Sequence, residues 1–128
     1  MAWCFGDQAD AFTDAALDAL KDGEAVVPPI WFLEVSNALV IGERRKKLSS
    51  RDSGQFVVFL ASLPIRVEAD VPHRAFGPIL LLARQLRLSC YDAAYLELTM
   101  REKLPLATRD GGLKQAAAAV NVPIWTEP

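Results

Sequence analysis

Residues 24–47 read as a strand that runs straight into a helix. The strand is Glu24 to Ile30 (EAVVPPI), short and apolar, closed by Pro28 and Pro29. The helix is Trp31 to Lys47 (WFLEVSNALVIGERRKK), apolar on nearly every side through Phe32, Leu33, Val35, Ala38, Leu39, Val40 and Ile41. A helix of that kind is expected to be buried. Glu34 sits in its first turn, with Asn37 one turn on and on the same face. A carboxylate buried without a partner costs several kcal/mol. Glu34 therefore needs a cation, a donor or water.

The same alternation continues along the chain. Asp7 to Asp22 has helical spacing, with Ala11, Phe12, Ala15, Ala16, Ala19 and Leu20 facing inward and Gly23 as its stop. After the central helix comes a helix over Asp52 to Ser62, capped by Ser49, Ser50 or Asp52, and then a strand over Ile65 to Ala69. Helices follow over Phe76 to Leu86, with Leu81, Leu82 and Leu86 on the buried side, and over Ser89 to Arg101. A strand over Leu104 to Thr108, a helix over Gly112 to Val120 and a strand over Val122 to Trp125 complete the order. Strands alternating with helices define an α/β chain with a parallel sheet and helices on both faces. No repeat or linker divides it, so residues 1–128 form one expected domain.

Composition agrees. At 52% hydrophobic and 23% charged, the chain has the apolar weight that a sheet covered on both faces uses. A net charge of −2 argues against a general nucleic-acid coat protein but not against an enzyme that grips nucleic acid locally. The N-terminus carries no basic, apolar leader and no run nears the ~20 residues of a membrane span, so a cytoplasmic protein without membrane contact is expected. Cys4 and Cys90 then read as reduced thiols. The single histidine, His73, reads as an exposed loop residue. With no histidine to spare, a His/Cys zinc site and a Ser–His–Asp triad both lack parts.

Carboxylates are what remain. In a parallel sheet, ligands bind at the carboxyl ends of the strands. Glu34 lies just past one strand end and Asp110, in PLATRDGGL, just past another. Asp92, in LSCYDAAYLEL, opens a helix. Each has a plainer reading. Asp92 with Ser89 has the form of a capping box, and Asp110 is a natural N-cap for the helix behind it. Glu34 has the weakest alternative, a salt bridge, because no Lys or Arg lies near it on its own helix. Together, three acids at one sheet edge repel each other, and a hard divalent cation relieves the repulsion. Mg²⁺ or Mn²⁺ accepts carboxylate and water ligands and supports in-line attack on a phosphodiester. Thr108 beside Asp110 is a supporting candidate, as is Asn37. Arg44, Arg45, Lys46 and Lys47 read either as a solvated helix end that offsets the dipole or as phosphate contacts, with Arg109 as a further candidate.

These motifs resemble a known family. LEVSNAL around Glu34, SCYDAAYLELT around Asp92 and PLATRDGGL around Asp110 are similar to the acidic motifs of PIN-domain ribonucleases, nearest to the VapC toxins of bacterial toxin–antitoxin pairs. The resemblance runs over essentially the whole chain. It implies a three-layer α/β/α fold, dependence on Mg²⁺ or Mn²⁺, cleavage of RNA, a homodimer, and inhibition by a VapB-like antitoxin. It implies Glu34, Asp92 and Asp110 as catalytic metal ligands. The family pattern also has a first strand ending in an aspartate just before the segment that MAWCF resembles. That strand and its Asp have no counterpart here, so the sheet is expected to have an empty middle position and the site three of four acids. Asp7 and Asp10 lie past that position and are not assigned to it. The other reading is a catalytically impaired relative that binds an antitoxin or dimerises.

Overall fold

The computed structural model describes residues 1–3, 11–69 and 72–126. Within them the order is β1 (Ala2–Trp3), α1 (Ala11–Ala19), β2 (Ala25–Val27), α2 (Ile30–Arg44), α3 (Ser50–Ala61) and β3 (Ile65–Val67). A helical stretch follows, made of α4 (Pro72–Arg74), a π-helical turn (Ala75–Ile79) and α5 (Leu80–Leu86). The chain closes with α6 (Cys90–Glu102), β4 (Leu106–Ala107) and α7 (Gly111–Ala119). The fold is mixed α/β with a parallel sheet.

The middle of that sheet is not empty. Strand order is β3-β2-β1-β4, and every pairing is parallel. Ala2 stands opposite Val26 on one side and Leu106 on the other. The expected gap is thus corrected by the first residues of the chain, and backbone chemistry explains why. β2 and β4 each present a row of peptide groups to the core that must be paired. Val26 N–H donates to Met1 O at 2.7 Å and Ala2 N–H donates to Pro105 O at 3.0 Å. Ala2 is small enough to sit there fully buried.

The strands are shorter than the sequence pattern predicts, and proline sets their ends. β2 stops at Val27 because Pro28 has no N–H to give the ladder. Pro29 then begins α2, where a missing donor costs nothing. The last expected strand, Val122 to Trp125, is reduced to a single parallel bridge between Leu106 and Ile124, again beside a proline, Pro123. Along β2, Ala25, Val26 and Val27 are all buried. Successive strand residues face opposite sides, so both faces are covered there.

The helix expected to be buried on nearly every side is not. α2 buries only Trp31, Val35 and Ala38, while Phe32 is 47% and Leu33 is 67% exposed. The helix that is buried all round is α6, from Ala93 through Thr99. Its sequence looked less apolar, but Ala93 and Ala94 allow close approach and its polar members are satisfied. Thr99 Oγ1 donates to Leu96 O, and Glu97 is bound by Arg101 Nε at 3.0 Å. Arg101 also reaches Glu68 at 3.1 Å, and Arg66 joins Glu68 to Glu24. This ion network ties the end of α6 to β3 and to the start of β2.

Three smaller expectations also change. α1 is described only over Ala11–Ala19, with Ala16 and Leu20 buried, and the earlier part of Asp7 to Asp22 lies outside the described residues, as does Cys4. His73 is exposed as expected, but it sits in the helical turn α4 rather than a loop. Leu81 is 54% exposed rather than buried, because the π-helical turn ahead of α5, with Pro78 inside it, rotates the face that α5 presents. Among the described residues, no helix is long and apolar enough to cross a membrane.

Candidate active site

Glu34, Asp92 and Asp110 gather at the carboxyl edge of the sheet. α2 follows β2 and carries Glu34 in its second turn. α7 follows β4, and Asp110 caps it. α6 precedes β4 and runs back to its start, so its first turn, with Asp92, returns to that edge.

Glu34 finds a donor, which was one of its three expected solutions. The Tyr95 hydroxyl donates to Glu34 Oε1. Tyr95 is fully buried on α6, so the bond joins α6 to α2. Sequence reasoning saw Tyr95 only as packing. The signal was available in its spacing, since residues three apart on a helix share a face and Tyr95 lies three beyond Asp92.

The acids sense each other. Burial is the main force pushing the Glu34 carboxyl above its ordinary range; the Tyr95 hydrogen bond opposes it, and the charge of Asp92 adds to it. Asp92 is also pushed up, first by burial and then by the charge of Asp110, against a hydrogen bond from the Ser89 side chain. Asp92 is thus the middle member, in the field of both others. Like charges held together favour the protonated form.

The capping reading holds for Asp110, and for Asp92 only its Ser89 half is formed. Ser89 Oγ accepts from the Asp92 N–H at 3.1 Å. The full box, with the acid returning a bond to the cap amide, forms at α3 between Ser49 and Asp52. Asp110 Oδ2 accepts from the Leu113 N–H at 2.7 Å. Thr108, buried, accepts from the Asp110 N–H at 3.1 Å and so fixes the turn that aims this carboxylate. Glycine is needed close by. A Cβ at Gly112 would stand 3.3 Å from Asp110 Oδ2.

The basic candidates divide. Arg109 precedes Asp110 in the turn between β4 and α7. Arg44 ends α2 and Arg45 caps it. At about 1.5 Å of rise per residue they lie about 15 Å along the helix from Glu34. Lys46, with φ 58°, and Lys47 turn away beyond them. Asn37 is exposed on α2, one turn past Glu34.

In donor chemistry the three acids fit a hard divalent ion, since all offer oxygen and two are raised by burial and like charge. In arrangement they are not preassembled. Among the described residues, no group of three His, Cys, Asp or Glu side chains is set to hold a metal ion. One Glu34 oxygen is engaged by Tyr95 and one Asp110 oxygen by the α7 amide. β1, in the middle of the sheet, is Ala2 and Trp3 and adds no acid.

No protein-family model matches this chain, and no curated protein matches it either.

Proposed function

We propose that this protein is a metal-dependent endoribonuclease of the PIN type, built as a three-layer α/β/α domain and acting in the cytoplasm. Within that class we propose a VapC-like toxin, homodimeric and held in check by a VapB-like antitoxin. The observation that carries the reading is the position of Asp92 at the carboxyl edge of the sheet, a half-buried carboxylate raised by burial and by the charge of Asp110; the charge of Asp92 in turn raises Glu34.

Glu34, Asp92 and Asp110 would hold Mg²⁺ or Mn²⁺. When bound, such an ion supplies an activated water and neutralises charge on a phosphodiester. The chain's own residues do the rest. Tyr95 orients Glu34 through its hydroxyl, and Thr108 with Gly112 sets the angle of Asp110. Arg109 stands where a phosphate would approach, and Arg44, Arg45, Lys46 and Lys47 offer a second contact further along the strand of RNA. The test is cleavage of single-stranded RNA in Mg²⁺ or Mn²⁺, followed by gel. Wild type is expected to cut, and Asp92→Asn to lose activity by at least 100-fold, the scale on which removed electrostatic groups act. No metal-dependent cleavage by wild type would sink the reading.

One set of observations favours a second reading, the impaired relative that serves as an antitoxin-binding or dimerisation module. The acids are not preassembled and β1 brings none. Co-purification with a small partner, with no cleavage even at high metal, is its signature.

A further inference from the structure

A cavity of about 380 Å³ opens between the starts of α2 and α6 and the π-helical turn. Pro29, Ile30 and Leu33 of the α2 start form one wall, Ile79 of the π-helical turn another, and Tyr91 and Ala94 of α6 the third. The volume is within the roughly 300–1,000 Å³ of small-ligand sites. None of its lining side chains carries a charge. Tyr91 is 64% exposed and Leu33 67% exposed, so both present their apolar bodies at its mouth.

The position of the cavity narrows what fits. Leu33 is the residue before Glu34 and Tyr91 the residue before Asp92. Consecutive Cα atoms are ~3.8 Å apart. The backbone that carries Glu34 and Asp92 therefore borders the cavity, about one nucleotide's length from a group lodged there. We infer that this cavity is a subsite for one unpaired nucleobase of single-stranded RNA, stacked on Tyr91, that flanks the phosphate at the acids. A neutral flat ring matches the uncharged pocket, while the charged phosphate is left at the rim. Aromatic side chains accept any base in this way because every base has a π face, and single strands supply bases that are free to leave the stack. The inference rests on the ribonuclease reading for its substrate, but the pocket is testable without it.

The experiment is NMR titration of the full chain with adenosine and uridine, free nucleosides that need neither metal nor cleavage. The methyl signals of Ile30, Leu33 and Ile79 are expected to shift in wild type and in Tyr91→Phe, with similar affinities. Tyr91→Ala is expected to bind roughly tenfold more weakly, as loss of one stacking partner predicts. Tyr91 is exposed, so neither variant disturbs the core. Absence of these shifts in a wild-type protein that does cleave RNA overturns the subsite and leaves the nuclease reading intact. Shifts in a protein that never cleaves uphold the subsite and remove the nuclease reading. Methyl shifts that follow protein concentration and ignore nucleoside show that a second copy of the chain covers the cavity, which also overturns the inference.

Discussion

Asp92 is half-buried between two other acids, and its charge state sets a sign that can be measured. Its carboxyl and that of Glu34 are raised above their ordinary values of 3.8 and 4.5, chiefly by burial. A raised folded-state value means the native chain binds those protons more tightly than the unfolded chain. Without metal, their contribution to stability is then greatest below the ordinary range and is lost as pH climbs through the raised values. Asp52 has the opposite sign. The Ser49 amide and hydroxyl hold it below its ordinary value, so its contribution disappears only in stronger acid. Asp92→Asn removes one of the raised groups and keeps the residue 92 amide that donates to the Ser89 cap. In chelator, the variant should melt above wild type at pH 7, and the gap should close as pH falls toward 4. Thermal melts of both proteins across that range are the check; a gap that is absent or widens in acid contradicts the assignment. At this scale the sequence was informative about which acids matter, because their positions at strand ends and helix starts follow from local pattern. Helical spacing puts Tyr95 on the face of Asp92, but its pairing with Glu34, 61 residues away, is chosen by the fold and could not be read from one helix.

Among the elements, α6 carries the most. It is buried from Ala93 to Thr99, it brings Asp92 to the site, and its far end is anchored by Arg101 to Glu97 and Glu68. Glu97 is only 8% exposed, so loss of Arg101 strands a buried carboxylate. Arg101→Met should cost about 2 kcal/mol, less than the ~3–5 of a fully buried pair because Arg101 is about a quarter exposed. Glu97→Leu added to it should recover most of that. Urea melts of the two variants settle the matter, and a single-variant loss under about 0.5 kcal/mol would place the pair with ordinary surface bridges. Most elements were legible in the sequence, α2, α3, α5, α6 and α7 to within a few residues. What misled was the use of apolar content as a measure of burial. α2 is richer in large apolar residues than α6, yet Phe32 and Leu33 face out, whereas Ala93 and Ala94 are what let α6 sit against the sheet. Strand lengths were overread: Pro28 ends β2 three residues before the expected Ile30, and Pro123 leaves the last strand a single bridge.

For the whole molecule, the central question is whether one edge of the sheet is a cation site. A parallel sheet was expected, with a gap at its centre that the family resemblance implied, and backbone pairing of Met1, Ala2 and Trp3 fills that position. That outcome completes the sheet but adds no fourth acid. For the proposed ion to bind, Glu34, Asp92 and Asp110 would have to move into a common set, since among the described residues they are not preassembled. The direct test is the melting temperature of wild type and Asp92→Asn with and without Mn²⁺. A ligand present at about 100 times its Kd stabilises the folded state by about 2.7 kcal/mol, which for a chain of this size is a rise of several degrees. Wild type should show that rise and Asp92→Asn much less of it. Equal shifts in the two proteins, or none in wild type, would mean that Asp92 is a helix-start acid and not a metal ligand.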